Sequence, residues 1–212
     1  MTPRFLPAGD RALMVEFATA PDPAAHRAVL ALDGALAARP FAGFAEAVPA
    51  LVTLLVAFDP LLTDHRAAQA HLETLLSAGA KTVAAPRRHE IPIAYDGPDL
   101  AEVAARTGLT AERIASVHQS GDYEVAMYGF APGYAYLSGL PPPLHLDRKP
   151  APVRNVPAGS VIIAGGMCLI TTLTMPTGWW RIGHSPVRVL TDDPARPFAF
   201  DVGDHLRFRA AP

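Results

Sequence analysis

Cysteine is nearly absent: the 212-residue chain has one, Cys168. One cysteine builds neither an internal disulfide framework nor a multi-cysteine zinc site, and this usage suits a reducing compartment. Charge is scarce as well, at 18% charged residues and a formal net charge of −2, against about 25% charged in ordinary globular chains. Lysine occurs only at 81 and 149. With no basic excess to neutralise a phosphate backbone, a nucleic-acid partner is not expected. Long apolar runs are missing: the uncharged stretch between Arg154 and Arg181 is broken by Pro157, Gly159, Gly165, Gly166, Pro176 and Gly178, and a membrane span needs about 20 apolar residues. At the start of the chain Pro3, Arg4, Pro7 and Asp10 interrupt any signal-peptide core. The expectation is a soluble, cytoplasmic protein without a membrane partner.

Nucleotide and metal motifs are also lacking. There is no G-x-x-x-x-G-K-[ST], no G-x-G-x-x-G opening a helix, and no G-x-S-x-G nucleophile elbow. The eight histidines form no H-x-x-x-H or H-x-H pair. No metal is expected, and no cofactor bound by the chain's own motifs.

What is present is apolar residues, 50% of the chain, and proline, 22 residues, about double the usual share. That apolar content excludes a disordered chain. The first 80 residues hold fewer prolines per residue than the rest and are periodic. Residues 13–17 read as a strand, and Asp22-Pro23 offers a cap and a first-turn proline for a helix whose face carries Ala25, Val29, Leu32 and Leu36. Residues 45–48 and 51–58 read as strands, and Thr63-Asp64 caps a helix facing inward with Ala68, Leu72, Leu75 and Leu76, ending at Gly79. The order β-α-β-β-α predicts a split βαβ unit with its helices on one face. Ala84-Ala85-Pro86-Arg87-Arg88 reads as a linker. Beyond it come a strand at 90–95, a helix with an Asp99/Glu102 capping box, a helix capped by Thr110, and a strand at 123–128. Short strands at 161–163, 169–173, 187–190 and 206–208 then alternate with Gly/Pro turns, as in a barrel or sandwich. The fold class is α+β, divided into residues 1–82 and 83–212.

Several segments can carry chemistry. Ala158-Gly159-Ser160 and Ala164-Gly165-Gly166 read either as backbone anion nests or as strand turns. Ser160, ahead of a strand, is a poor nucleophile candidate, and Cys168 reads as inert core. His184, in Trp179-Trp180-Arg181-Ile182-Gly183-His184, is either an acid/base group or a structural histidine. Gly129-Phe130-Ala131-Pro132-Gly133-Tyr134-Ala135-Tyr136-Leu137-Ser138-Gly139-Leu140-Pro141 is the densest constellation. Rigid, irregular and aromatic, it suits a pocket wall or a hydrophobic crossing loop.

That last run resembles G-F-x-P-G-F-x-Y-L-x-x-L-P, a signature of the family of allophanate hydrolase subunit 1 and kinase A inhibitor proteins, which includes the B subunit of bacterial ATP-dependent 5-oxoprolinase. Val156-Pro157-Ala158-Gly159-Ser160-Val161, Ile182-Gly183-His184 and Gly203-Asp204-His205-Leu206-Arg207-Phe208 are similar to its V-P-A-G-S-V, I-G-[RH] and G-D-x-[VL]-R-F. The opening Phe5-Leu6-Pro7-Ala8-Gly9-Asp10 resembles the family's start. The resemblance implies a small N-terminal α/β domain and a C-terminal cyclophilin-like β-barrel. It implies a carboxyltransferase-like second subunit, similar to the 5-oxoprolinase C subunit, a third subunit in 5-oxoprolinase, and ATP used by the complex as 5-oxoproline is opened to glutamate. Fused relatives handle urea carboxylation, as in urea carboxylase and allophanate hydrolase, and other members inhibit a histidine kinase without chemistry. On this reading His184 is the catalytic residue, and Phe130, Pro132, Gly133, Tyr134, Tyr136, Arg154, Ser160 and Trp179 bind a small amide or carboxylate substrate, with Arg154 and His184 as one polar wall.

Three departures stand out. Cys168-Leu169-Ile170-Thr171-Thr172 replaces T-G-x-Y-P. The family's P-R-x-x-V-P is Pro152-Val153-Arg154-Asn155-Val156-Pro157, a one-residue shift that turns a strand side chain to the other face unless a bulge absorbs it. Thr177 replaces the first glycine of P-G-G-W, where a positive φ would be strained.

Overall fold

The computed structural model describes residues 2–79 and 85–211. They fall into two compact units, Met1–Ala85 and Pro86–Pro212. The boundary expected between residues 82 and 83 lies outside the described residues, as does Ala84 of the expected linker.

In the first unit, strands β1 (Arg4–Pro7), β2 (Ala12–Glu16), β3 (Phe44–Pro49) and β4 (Thr53–Phe58) form one antiparallel sheet in the order β1-β2-β4-β3. Helix α1 (Pro23–Ala38) joins β2 to β3, which run parallel with β4 between them, so the split βαβ plan is present. Asp22 caps α1 by accepting from the Ala24 amide at 2.6 Å, and Asp64 caps α2 (His65–Ser77) through the Ala67 amide at 2.8 Å. Ala25, Val29, Leu32 and Leu36 of α1 meet Ala68, Leu72 and Leu75 of α2 over Leu13, Val15, Leu54, Val56 and Phe58 of the sheet. Strand β1 was not legible because prolines bracket it. At a sheet edge, however, proline's missing donor costs nothing.

The second unit has β5 (Arg88–Ile93), α3 (Leu100–Thr107), α4 (Ala111–Gln119), β6 (Tyr123–Tyr128), β7 (Ala135–Ser138), β8 (Val153–Val156), β9 (Ser160–Ala164), β10 (Met167–Ile170), β11 (Met175–Thr177), β12 (Trp180–His184) and β13 (His205–Ala210). Seven strands run in the order β12-β9-β10-β7-β6-β13-β5, and β8 pairs with β11 as a separate ribbon. All neighbours in the larger sheet are antiparallel except β13 and β5. The sheet nearly closes into a barrel. Ala94, just past β5, exchanges both backbone hydrogen bonds with His184 at 2.8 and 2.9 Å. Gly183 makes that approach possible, since a Cβ there would sit 2.2 Å from the Ala94 carbonyl oxygen.

Strand β9 is buried on both faces. Val161 and Ile163 enter the main core with Ile93, Val125, Leu137 and Phe208. Ile162 and Ala164 join a second cluster on the opposite face. Buried polar groups tie the barrel together. The Asp204 carboxylate, 4% exposed, accepts from Arg87 Nε and Nη2 at 3.1 and 2.8 Å and pairs with His89 Nε2 at 2.8 Å. Burial alone would raise its pKa, but hydrogen bonds from the Asp201 amide, His89 and Arg87 outweigh that and hold it below the ordinary carboxylate value. His118 is fully buried, with Nδ1 2.9 Å from the Tyr95 hydroxyl and Nε2 3.4 Å from Cys168 Sγ. Burial pushes the imidazole down to about 3 and the thiol up.

Four expectations are corrected. Arg87 and Arg88 are no linker: Arg88 opens β5 and Arg87 is pinned by Asp204. Asp99 makes no side-chain cap, because its Oδ2 instead accepts from Lys149 Nζ at 2.6 Å and the Arg181 amide at 2.7 Å. A lysine charge and a barrel amide outcompete its own helix. Residues 187–190 form no strand, only a bridge from Leu190 to Phe198. Thr177 is not among the positive-φ residues, and its hydroxyl accepts from the Trp179 amide at 3.1 Å.

Gly183→Ala should destabilise the barrel by about 2–4 kcal/mol, because the seam must open to admit a methyl group. Denaturant midpoints followed by the fluorescence of Trp179 and Trp180 read this; an unchanged midpoint would place the close approach elsewhere. A second test concerns pH. His118 has a folded-state pKa near 3 against 6.5 ordinarily, so the unfolded chain binds the extra proton between those values. Its neutral burial therefore contributes full stability above pH 6.5 and loses about 1.4 kcal/mol for each unit below it. His118→Gln should flatten the fall in stability between pH 6.5 and 5 by about one proton, and an unaltered slope would refute the assignment.

Candidate functional site

His184 ends β12 at the barrel seam, its backbone fixed to Ala94 and its ring laid on Gly159. Glycine is required at 159 on two counts: φ is +82°, and a Cβ would stand 2.7 Å from His184 Nε2. The ring opens onto a cleft of roughly 430 Å³, lined also by Thr171, Thr172, Ser185, Arg188 and Leu190. The two threonine hydroxyls beside it are committed as donors. Thr171 donates to the Pro157 carbonyl at 2.7 Å, Thr172 to the Pro132 carbonyl at 2.6 Å, and Ser185 accepts from the Val187 amide at 3.3 Å. Among the described residues no carboxylate pairs with the His184 ring. The cleft thus offers a solvent-open imidazole for proton transfer but no paired nucleophile.

Pro132 and Gly133, in the β6–β7 loop, do not line this cleft but back two residues that do. Thr172 holds the Pro132 carbonyl, and a Cβ on Gly133 would meet Leu190 at 2.8 Å. Ser160 lies beside His184 in register, but it is 2% exposed and its hydroxyl donates to Pro157 at 2.8 Å, so it shapes the turn from beneath. The Ala158–Ser160 turn offers no anion nest, because the Gly159 amide donates to the Thr171 carbonyl at 2.7 Å and the Ser160 amide to Thr171 Oγ1 at 2.9 Å. The Gly165 amide is likewise used, by the Leu146 carbonyl at 2.7 Å.

The aromatic residues gather on the opposite face of the same strands. Tyr134, Tyr136 and Trp179 pack with Ile162 and Leu169, and the Tyr136 and Trp179 rings meet edge to face at 5.8 Å. Burial, with a smaller push from Tyr136, raises the Tyr134 phenol. Its hydroxyl is buried without a hydrogen-bond partner among the described residues. Phe130 lies over Tyr134 at 5.7 Å, 76% exposed and at a φ of +70°, a conformation uncommon for a bulky residue.

Arg154 is separate from His184. Val156 pairs with Met175 and Val153 with Thr177, so β8 carries one extra residue, and Asn155 takes a φ of +56°. The bulge absorbs the one-residue shift. It places Arg154 with Arg181, Lys149, Asp99 and Trp179 around a hollow of about 110 Å³, distinct from the His184 cleft. The single polar wall expected from Arg154 and His184 is not formed. Sequence reading passed over Arg148, Lys149, Arg181 and the two threonines; the charge next to Trp179-Trp180 was an available signal for Arg181 alone, since Arg148 and Lys149 reach the tryptophans only through the fold. Among the described residues no group of three or more His, Cys, Asp or Glu side chains could hold a metal ion, and no helix is long and apolar enough to cross a membrane.

Comparison with known proteins agrees with this architecture. The family model described as carboxyltransferase domain, subdomain C and D, matches residues 3–200. The 5-oxoprolinase B subunit of Bacillus subtilis (strain 168) is 32% identical over 94% of this chain and 89% of its own length. That of Escherichia coli O157:H7 is 44% identical over 56% of each. Among solved structures, TTHA0988 superposes with a TM-score of 0.86 at 37% identity, covering 96% of this chain and 40% of that one. The Kluyveromyces lactis urea carboxylase shares the fold, with a TM-score of 0.76 at 16% identity over 99% of this chain and 22% of its own. The chain belongs to the carboxyltransferase domain, subdomain C and D, family, as a member similar to the 5-oxoprolinase B subunits.

Proposed function

We propose that this chain is one component of a 5-oxoprolinase-type, carboxyltransferase-like complex that opens 5-oxoproline to glutamate with ATP hydrolysis, and that it is inactive alone. The observation that carries this is the incomplete His184 cleft, an accessible imidazole without an orienting carboxylate or a free nucleophile. Such a cleft supplies a proton to a departing amide nitrogen, while activation of the carbonyl must come from elsewhere. A carboxyltransferase-like second subunit, with a third, is the source, and the names of the similar proteins support it. In this reading Pro132 and Gly133 support the cleft from behind Thr172 and Leu190, Ser160 braces its turn, and the exposed Phe130, seated on Tyr134, is a contact for the second subunit. ATP is used by the complex.

The test is reconstitution with the two partner subunits and measurement of ATP-dependent glutamate release. Activity is expected for the complex and not for this chain alone. His184→Asn should lower kcat by about 10²–10⁴-fold while the complex still assembles. No turnover of 5-oxoproline by the assembled complex would overturn the reading, and a wild-type rate for the variant would remove His184 from the chemistry.

A further inference from the structure

We infer that Arg154 and Arg181, beside the Trp179 ring, form a binding site for one small oxyanion, a phosphate or carboxylate group, separate from the His184 cleft. The argument begins with charge. Of the groups lining this hollow, Lys149 and Asp99 cancel, since Asp99 Oδ2 accepts from Lys149 Nζ at 2.6 Å. The same oxygen accepts from the Arg181 amide at 2.7 Å, so this carboxylate is committed to its neighbours. The guanidinium groups of Arg154 and Arg181 have no ion pair among the described residues, yet they line one hollow. Two like charges lining one small hollow make its potential positive, and an anion held there meets both without a competing counter-charge of its own.

Neighbouring charges do not reverse the balance. Arg148 lies 5.8 Å from the Trp179 ring centroid, and Arg106, beyond it, stacks on Trp180 at 4.7 Å while paired with Glu102 at 2.8 Å. Asp147 lies in the next hollow with Arg106 and Arg148, and Glu102 is taken up by Arg106. The surface therefore stays cationic.

Size and shape narrow the ligand. A hollow of about 110 Å³ is well below the roughly 300–1,000 Å³ of sites for drug-sized molecules, so it takes a single oxyanion group and not a whole nucleotide. Guanidinium forks match the paired oxygens of carboxylate and phosphate, which ammonium groups do not. The backbone is built for this placement: the β8 bulge at Asn155 brings Arg154 to the Trp179 side, and Arg181, opposite Ile162 in register, projects from the outer face of β12. The site does not depend on the reading of His184 given above.

Trp179 and Trp180 are the chain's two tryptophans, so the site carries its own reporter. The full chain is titrated with sodium phosphate and, separately, with sodium acetate, against sodium chloride of equal ionic strength, and tryptophan emission is followed. A saturable change with phosphate or acetate that chloride does not reproduce is expected, and the arm that saturates identifies the oxyanion. Arg154→Gln and Arg181→Gln should each weaken it about tenfold or more, while Arg188→Gln, at the other cleft, leaves it unchanged. Arg154→Lys and Arg181→Lys keep the charge and the fold but lose the fork, and should also weaken binding. Absence of saturation by both anions, or binding that survives substitution of both arginines, overturns the site.

Discussion

The barrel depends on its seam. Strands β5 and β12 stand at opposite ends of a seven-stranded sheet, and the two reciprocal hydrogen bonds between Ala94 and His184 bring those ends together. Such bonds form only when the backbones approach without a side chain between them, and Gly183 provides that gap against the Ala94 carbonyl. Gly97 does the same against the Arg181 carbonyl, where a Cβ would sit at 2.2 Å. Because the seam fixes the backbone of His184, closing the barrel and positioning the imidazole are one event. Glycine next to histidine in Ile182-Gly183-His184 thus has a single physical cause.

The strands beside the seam work on two faces at once. One face of β9 and β10 fills the core through Val161, Ile163, Cys168 and Ile170, while the other carries Ile162, Ala164 and Leu169 outward to Tyr134 and Trp179. This explains why Cys168 is chemically silent. It sits on the inner face against His118, where burial raises the thiol and its neighbour is neutral. The outer face keeps a Tyr134 hydroxyl without a hydrogen-bond partner among the described residues and an exposed Phe130 held at positive φ. Backbone strain of this kind persists only where surrounding packing imposes it, and it clusters at functional surfaces.

The two hollows divide the chemistry. One offers an imidazole beside two threonine hydroxyls already bound to backbone carbonyls, the other two arginines without an ion pair among the described residues. Among the described residues neither contains a nucleophile paired with a base. Asp204 shows the contrasting case. Its carboxylate is fully engaged by Arg87, His89 and the Asp201 amide, so the closing Gly203-Asp204-His205-Leu206-Arg207-Phe208 segment fastens β5 to β13 and has no capacity left to bind a ligand.

Much of the architecture is local and was legible. Helix faces such as Ala25, Val29, Leu32 and Leu36 obey a 3.6-residue period, Asp22, Asp64 and Thr110 cap the helices that follow them, and β6 begins and ends at the residues its pattern marks. Short strands between Gly/Pro turns pointed to a barrel or sandwich and His184 stood out by its neighbours; the family motifs then chose the barrel and the catalytic reading of His184. Other features were decided in three dimensions. Asp99 abandons its helix for Lys149, a group distant in the chain, and Arg154 sits beside Trp179 because a bulge at Asn155 takes up one residue. Residues 187–190 have the composition of a strand but line a cleft, since no neighbouring strand offers them a ladder. Period and capping are properties of adjacent residues, so the sequence by itself determined the helices, most strands and the α+β class. Which side chains share a hollow depends on register, bulges and the closing of the seam, and these arise only when segments far apart in the chain compete for the same hydrogen bonds.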